Sequence, residues 1–207
     1  MQPKWLSWAR ELQSVAQSGL TFAENPYDRE RYEQLRVLAA KMMAEGAGEE
    51  PGAVEKLFAQ EAGYATPKVD VRAAIFRDKS VLLVSELMDA GRLTLPGGWA
   101  DVNLSPSENV IREAREEAGV IVAVKKLAAV YDRDKSGHPR PHPFHIYKLF
   151  FLCDIAGECE KSPLETGEAR FFPLDDLPEL SQSRVLPWQI RRLHEHVLTP
   201  SLPTDFN

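Results

Sequence analysis

Glu113, Glu116 and Glu117 stand close together in the run SPSENVIREAREEAGV, residues 105–120. At about 100° per residue they fall within one arc of about a quarter to a third of a helix circumference, so all three carboxylates must face the same space. Like charges at i,i+3 and i,i+4 cost an isolated helix a few tenths of a kcal/mol per pair, and the cluster therefore calls for something positive. Arg112, four residues before Glu116, is near enough to orient that carboxylate. Two readings follow. The acids could pair with Arg112 and Arg115 on a solvated helix face, or they could hold a hard cation such as magnesium, which takes carboxylate oxygens, water and phosphates.

The elements that must carry these side chains are legible around them. Ser105 is a good N-cap, Pro106 suits the first helical position, and Glu108 completes an S-x-x-E capping box, while Gly119 can end the helix. Val110, Ile111, Ala114 and Ala118 occupy a neighbouring arc and can anchor the helix against a sheet.

Upstream, Trp5, Trp8, Leu12 and Val15 recur at helical spacing, predicting a helix over about 4–17 that stops at Gly19. A second helix is expected from about Asp28 to Ala44, a linker at 44–52, and a third helix over about 51–61. Near residue 66 the pattern turns to alternation, with Val69, Val71, Ala73 and Ile75 opposite Asp70, Arg72, Ala74 and Phe76. Further strand candidates are 81–87, 92–96, 120–131, 145–155 and 169–174, with helices at 106–118 and 187–197. This order predicts an α/β or α+β sandwich in residues 66–207, behind a small helical domain in residues 1–65.

The 207 residues carry 25 basic and 31 acidic side chains, for a formal charge of −6. Such a chain is not built to track a nucleic-acid backbone, so nucleic acid is not expected as its primary partner. The segment MQPKWLSWARELQSVAQ lacks the continuous apolar core of a secretory signal, and no stretch approaches the roughly 20 apolar residues that span a bilayer. A cytoplasmic location is the expectation. Cys153 and Cys159 have no zinc-type spacing, and Cys153, within KLFFLCDI, reads as a buried strand residue.

The order RE-A-RE-E-A-G-V resembles the R-E-U-x-E-E-x-G-U signature of the Nudix hydrolases, with Ala114 where a larger aliphatic is usual. Gly98 stands at the family's distance from Arg112. The family's acid six positions after that glycine is Leu104 here, and Asp101 can supply part of its charge. Together with GGWADVNLSPSE and the helical N-terminal segment, the chain resembles a Nudix subgroup that hydrolyses X-linked nucleoside diphosphates, including CDP-choline and ADP-ribose pyrophosphatases. The resemblance implies a Nudix-type α/β/α sandwich with a mixed sheet. It also implies magnesium or manganese held by Glu113, Glu116, Glu117 and the Gly98 carbonyl, with attack of water on phosphorus to give a nucleoside monophosphate and a phosphorylated X group. Arg112 would orient the acids, and the general base would be a helix glutamate such as Glu116 or a loop acid, Glu165 or Glu168.

Other residues invite weaker readings. Arg72, in a mostly apolar strand, could grip substrate phosphate or pair with a nearby acid. His138, His142 and His145 fit a substrate-facing loop better than a zinc site, because Pro139, Pro141 and Pro143 break any ligand spacing. Trp5, Trp8, Tyr27 and Tyr32 point to a packed core or interface, hence a homodimer formed at or near the helical domain. A nucleotide-sensing module without turnover and an RNA-directed Nudix hydrolase are the competing functions. The choice of base and X group stays open.

Overall fold

In the computed structural model, which describes residues 3–162 and 166–207, the chain divides into two compact units. One comprises Met1–Lys68 with Arg140–His145, the other Val69–Pro139 with Ile146–Asn207.

The first unit is built on helices α1 (Lys4–Phe22), α2 (Pro26–Ala47) and α3 (Pro51–Ala59). Leu6, Ala9, Ala39, Ala40, Met43, Ala44, Val54 and Phe58 form its core, and the many alanines let α1 and α2 approach closely. The expected stop at Gly19 is not observed, since α1 runs on to Phe22. A Cβ at Gly19 would overlap the Tyr32 ring, so this glycine serves helix packing rather than termination. Gly46, in the stretch expected as linker, likewise lies inside α2, against the Trp5 ring. The helix ends instead at Gly48, whose φ of 72° is left-handed.

In the second unit, among the described residues, seven strands make one mixed sheet. They are β1 (Lys68–Arg77), β2 (Ser80–Glu86), β3 (Arg92–Thr94), β4 (Val120–Asp132), β5 (Ile146–Glu158), β6 (Thr166–Pro173) and β7 (Asp205–Phe206). The order is β3-β2-β1-β5-β4-β7, with β6 pairing β2. Strands β4 and β5 pair antiparallel from Val120 opposite Glu158 to Asp132 opposite Tyr147. The parallel strand β7, two residues on β4, is too short to leave a period in the sequence.

Alternation along the strands sends the two faces to different cores. Val71, Ala73, Ile75, Phe151 and Cys153 pack with Val110 and Ala114 of helix α4 (Pro106–Ala118). On the opposite face Ala74, Val81, Leu83, Ala129 and Phe150 pack with Ile190 and Leu193 of helix α5 (Pro187–Leu198). A sheet covered on both faces by helices is the α/β/α sandwich that the resemblance implied, where the element order alone left α/β and α+β open. Cys153 is buried, as its strand setting predicted, and burial pushes its thiol up to about 12. Among the described residues no helix is long and apolar enough to cross a membrane.

Candidate active site

Helix α4 is fixed at both ends before it reaches the sheet. Ser105 Oγ accepts from the Glu108 backbone N–H at 3.3 Å, Glu108 accepts from the Ser105 N–H at 2.7 Å, and Gly119 closes the helix with φ 69°. Val110 and Ala114 are fully buried against the sheet. This anchoring sets the rotation of the helix and so the direction of its carboxylates.

Arg112 sits among three acids. Its Nη1 donates to Glu116 at 3.0 Å, and its Nη2 donates to Glu113 at 2.7 Å and lies 3.0 Å from Asp101. Asp101 thus adds a carboxylate to the Arg112 cluster, while Leu104 is a partly exposed loop residue. Glu113 and Glu117 are both buried, whereas the Glu116 side chain keeps about a third of its surface, 35 %. Burial first, and the neighbouring Glu117 second, push the Glu113 carboxyl up to about 7 against the pull of Arg112 and Arg72.

The loop facing the helix is laid along β1. Ala73, Val71 and the loop residue Ala100 donate in turn to Pro96, Gly98 and Val69 at 2.8, 2.9 and 2.9 Å. Gly97, at φ 142°, has no room for a side chain, since a Cβ would overlap the Val71 carbonyl oxygen. Its N–H donates to Glu117 Oε2 at 2.8 Å. Gly98 abuts Glu113, whose Oε2 would lie 3.2 Å from a Cβ placed there.

Glu113, Glu116, Glu117, Arg112 and Gly98 are therefore brought together. Glu168 is exposed on β6, and alternation sets it opposite Ala169 and Phe171, which pack with the α4 core. Glu165 lies outside the described residues. Arg72 is buried and fully engaged, with Nε and Nη2 on Asp70 at 3.0 and 2.6 Å and Nη1 on the Leu95 carbonyl at 3.1 Å. His138 Nδ1 meets the Gln182 carbonyl at 2.6 Å, and His142 packs on Phe144.

Sequence reasoning missed three polar residues that shape this region. Asn109, fully buried, accepts from the Asp101 N–H at 2.8 Å and donates to the carbonyls of Asp101, Leu104 and Ser105 at 3.2, 3.3 and 3.2 Å. Its signal in the sequence is an amide about one helical turn before Glu113. Asp70 and Lys148 are buried beside Arg72, with Lys148 Nζ 2.5 Å from Asp70 Oδ1. Only the pairing of β1 with β5 brings them together, and no local pattern announces it.

A family model of the NUDIX domain matches residues 66–193. The chain belongs to the Nudix family. A second model, described as a UDP-X-like N-terminal oligomerisation domain, matches residues 3–58 of this Nudix hydrolase. It is 42% identical over 207 residues to YjhB of Bacillus subtilis (strain 168), named as a candidate ADP-ribose pyrophosphatase, covering 100% of this chain and 99% of the relative. The crystal structure of a UDP-X diphosphatase shares 31% identity at a TM-score of 0.62, over 99% of this chain and 98% of that one. An ADP-ribose pyrophosphatase from Streptococcus suis 89-1591 shares 38% identity at a TM-score of 0.61, over 69% of this chain and 100% of the other. This Nudix enzyme is accordingly a pyrophosphohydrolase.

Proposed function

We propose that this Nudix hydrolase cleaves the diphosphate bridge of ADP-ribose or a similar X-linked nucleoside diphosphate, adding water to give a nucleoside monophosphate and a phosphorylated X group. The names of its ADP-ribose pyrophosphatase relatives favour adenine and ribose, with CDP-choline and UDP-linked compounds as the substrates to compare.

The observation that carries the reading is the pair of buried carboxylates, Glu113 and Glu117, one helical turn apart on α4 with the more exposed Glu116 beside them. Burial of two acids with too little positive charge holds Glu113 near 7, and that deficit suits a divalent cation, magnesium or manganese. Such an ion, when bound, polarises a diphosphate oxygen and makes water a stronger nucleophile. Glu113, Glu116 and Glu117 would hold it, with the Gly98 carbonyl using the lone pair that Val71 leaves free.

Arg112 fixes the Glu113 and Glu116 carboxylates by two charge-assisted hydrogen bonds, so their oxygens need not reorganise as substrate binds. Glu116, the most accessible of the three, is the acceptor we assign for the proton of the attacking water. Glu168, which was expected on a loop, lies on strand β6, and it and Glu165 are the further acids to test against Glu116. A cytoplasmic setting suits such a substrate.

We further assign a homodimer through the helical unit. Trp8, Val15, Phe22, Tyr27 and Tyr64 leave large apolar surfaces exposed on it, and the description of the model matched by residues 3–58 supports association. Light scattering should give twice the chain mass.

Phosphorus NMR with ADP-ribose, CDP-choline and a UDP-linked sugar tests the substrate assignment. With magnesium, ADP-ribose should convert to AMP and ribose 5-phosphate, and EDTA should stop the reaction until a divalent ion is restored. Preferential cleavage of either other compound would move the substrate assignment, and turnover of none with either metal would sink it.

A further inference from the structure

Buried charge beneath the site is arranged in a way that the hydrolytic reading does not use. Asp70, Arg72 and Lys148 are all at most 5 % exposed. Alternation puts Asp70 and Arg72 on the β1 face shared with Ala74, and Lys148 on the β5 face shared with Phe150, so the three meet across paired strands. One carboxylate thus serves two cations. Burying an unpaired ammonium or guanidinium is costly, and the excess positive charge needs a further acid. Glu117 and Glu113 are the other acids whose fields act on Arg72.

Contact as well as charge links Arg72 to them. Its Nη1 binds the Leu95 carbonyl, two residues before Gly97. Its own Cα and Cδ would lie 2.9 and 3.0 Å from a Cβ on Gly97, so the side chain runs directly under that residue. The Gly97 N–H is the group that donates to Glu117. A chain of fixed groups therefore runs from Lys148 through Asp70, Arg72 and the Leu95–Gly97 backbone to Glu117.

We propose that Arg72, braced by Asp70 and Lys148, is a positioning residue of the hydrolytic site: its guanidinium holds the Leu95–Gly97 segment so that Gly97 presents Glu117 in one orientation. It acts through the loop and touches neither substrate nor reacting water. The planar fork is essential to this role, because an ammonium at the same place keeps the charge but cannot bind Asp70 twice and Leu95 once in fixed directions.

This inference rests on the proposed metal-assisted hydrolysis, and Arg72→Lys separates the two. The variant keeps the charge and loses the fork. Manganese binding to the purified protein, followed by electron paramagnetic resonance without substrate, should weaken about 10-fold, the scale on which supporting groups around a metal site act. With the best substrate, kcat should fall about 10- to 100-fold while KM stays within about threefold. Wild-type manganese affinity and kcat in the folded variant would overturn the proposal, and a rise in KM alone would return Arg72 to gripping substrate. If Arg72→Lys does not fold, Asp70→Asn replaces it. That change removes the brace at constant shape and should lower manganese affinity and kcat in the same proportion, whereas unchanged values overturn the proposal. Failure of the wild type to bind manganese would instead count against the reading of the site itself.

Discussion

The Gly97 backbone N–H donates to Glu117 Oε2 at 2.8 Å, joining the loop after β3 to the last carboxylate of the α4 stripe. The Glu117→Gln side chain keeps an oxygen that can accept this bond but loses its charge. Turnover should fall about 100-fold or more, corresponding to loss of several kcal/mol of transition-state stabilisation. Stability should hold or rise slightly, because a like charge beside buried Glu113 is removed. Initial rates and a thermal unfolding scan on the same preparation check both halves, and turnover near the wild type would remove Glu117 from the site.

A side chain at position 97 meets a different obstacle. Gly97 combines φ 142° with a Cβ position that overlaps the Val71 carbonyl oxygen. Gly97→Ala therefore cannot relax by a rotamer change, and the backbone must move away from β1. A loss of about 1–3 kcal/mol is expected from the backbone conformation alone, with activity reduced because the Glu117 hydrogen bond moves too. Urea unfolding midpoints give the first value, and an unchanged midpoint would contradict the packing described.

These contacts show what was legible in the sequence and what was not. The α4 helix, its Ser105 and Glu108 cap and its Gly119 stop could be read locally, because capping and helical periodicity are properties of neighbouring residues. The sandwich followed from strand alternation. Gly19 and Gly46 misled because a glycine that admits a Tyr32 or Trp5 ring looks, in sequence, like one that ends a helix. Asp70 and Lys148 were invisible as a pair, since 78 positions separate them and only the sheet order makes them neighbours.

Asn109 tests how much the loop before α4 depends on one buried amide. It accepts from Asp101 and donates to three carbonyls, all in the segment 101–105. Asn109→Ala leaves the Asp101 N–H and the Asp101 and Leu104 carbonyls to find water or remain unpaired, at a cost of about 1–3 kcal/mol for each group left buried and unsatisfied, while the Ser105 carbonyl keeps the Asn109 backbone N–H. The loop should become more accessible to amide hydrogen exchange while the β4–β5 hairpin keeps its protection. Uniform loss of protection across the sheet would show that Asn109 supports the whole unit instead.

Acid should reveal the Asp70 cluster. Burial pushes the Asp70 carboxyl up, but Arg72 and Lys148 together pull it further down, to about 2 against an ordinary 3.8. The folded state therefore binds fewer protons than the unfolded one in this window, and stability must fall as pH falls. The contribution of Asp70 is complete above about pH 4 and is lost as pH drops through about 2. Asp70→Asn should be less stable at neutral pH, because two buried cations lose their counter-charge. Its urea midpoint should also decline less steeply than the wild type between pH 4 and pH 2.5, two values chosen to bracket most of that titration. Parallel slopes for the two proteins would sink the assignment.

Asp101 lies 3.0 Å from Arg112 in a chain that has Leu104 where the Nudix signature carries an acid. The Asp101 side chain is 62 % exposed, and an exposed pair of this kind contributes about 0.2–1 kcal/mol. Asp101→Asn should therefore lower turnover only about two- to fivefold, by letting Arg112 swing between Glu113 and Glu116. Leu104 is partly exposed, so Leu104→Glu adds a carboxylate without opening a core cavity. Added to Asp101→Asn, it should restore most of the lost turnover, and the two changes should be non-additive because both act on Arg112. Rates for the two single variants and the double variant complete the cycle. Strict additivity would mean that Asp101 does not stand in for the missing acid.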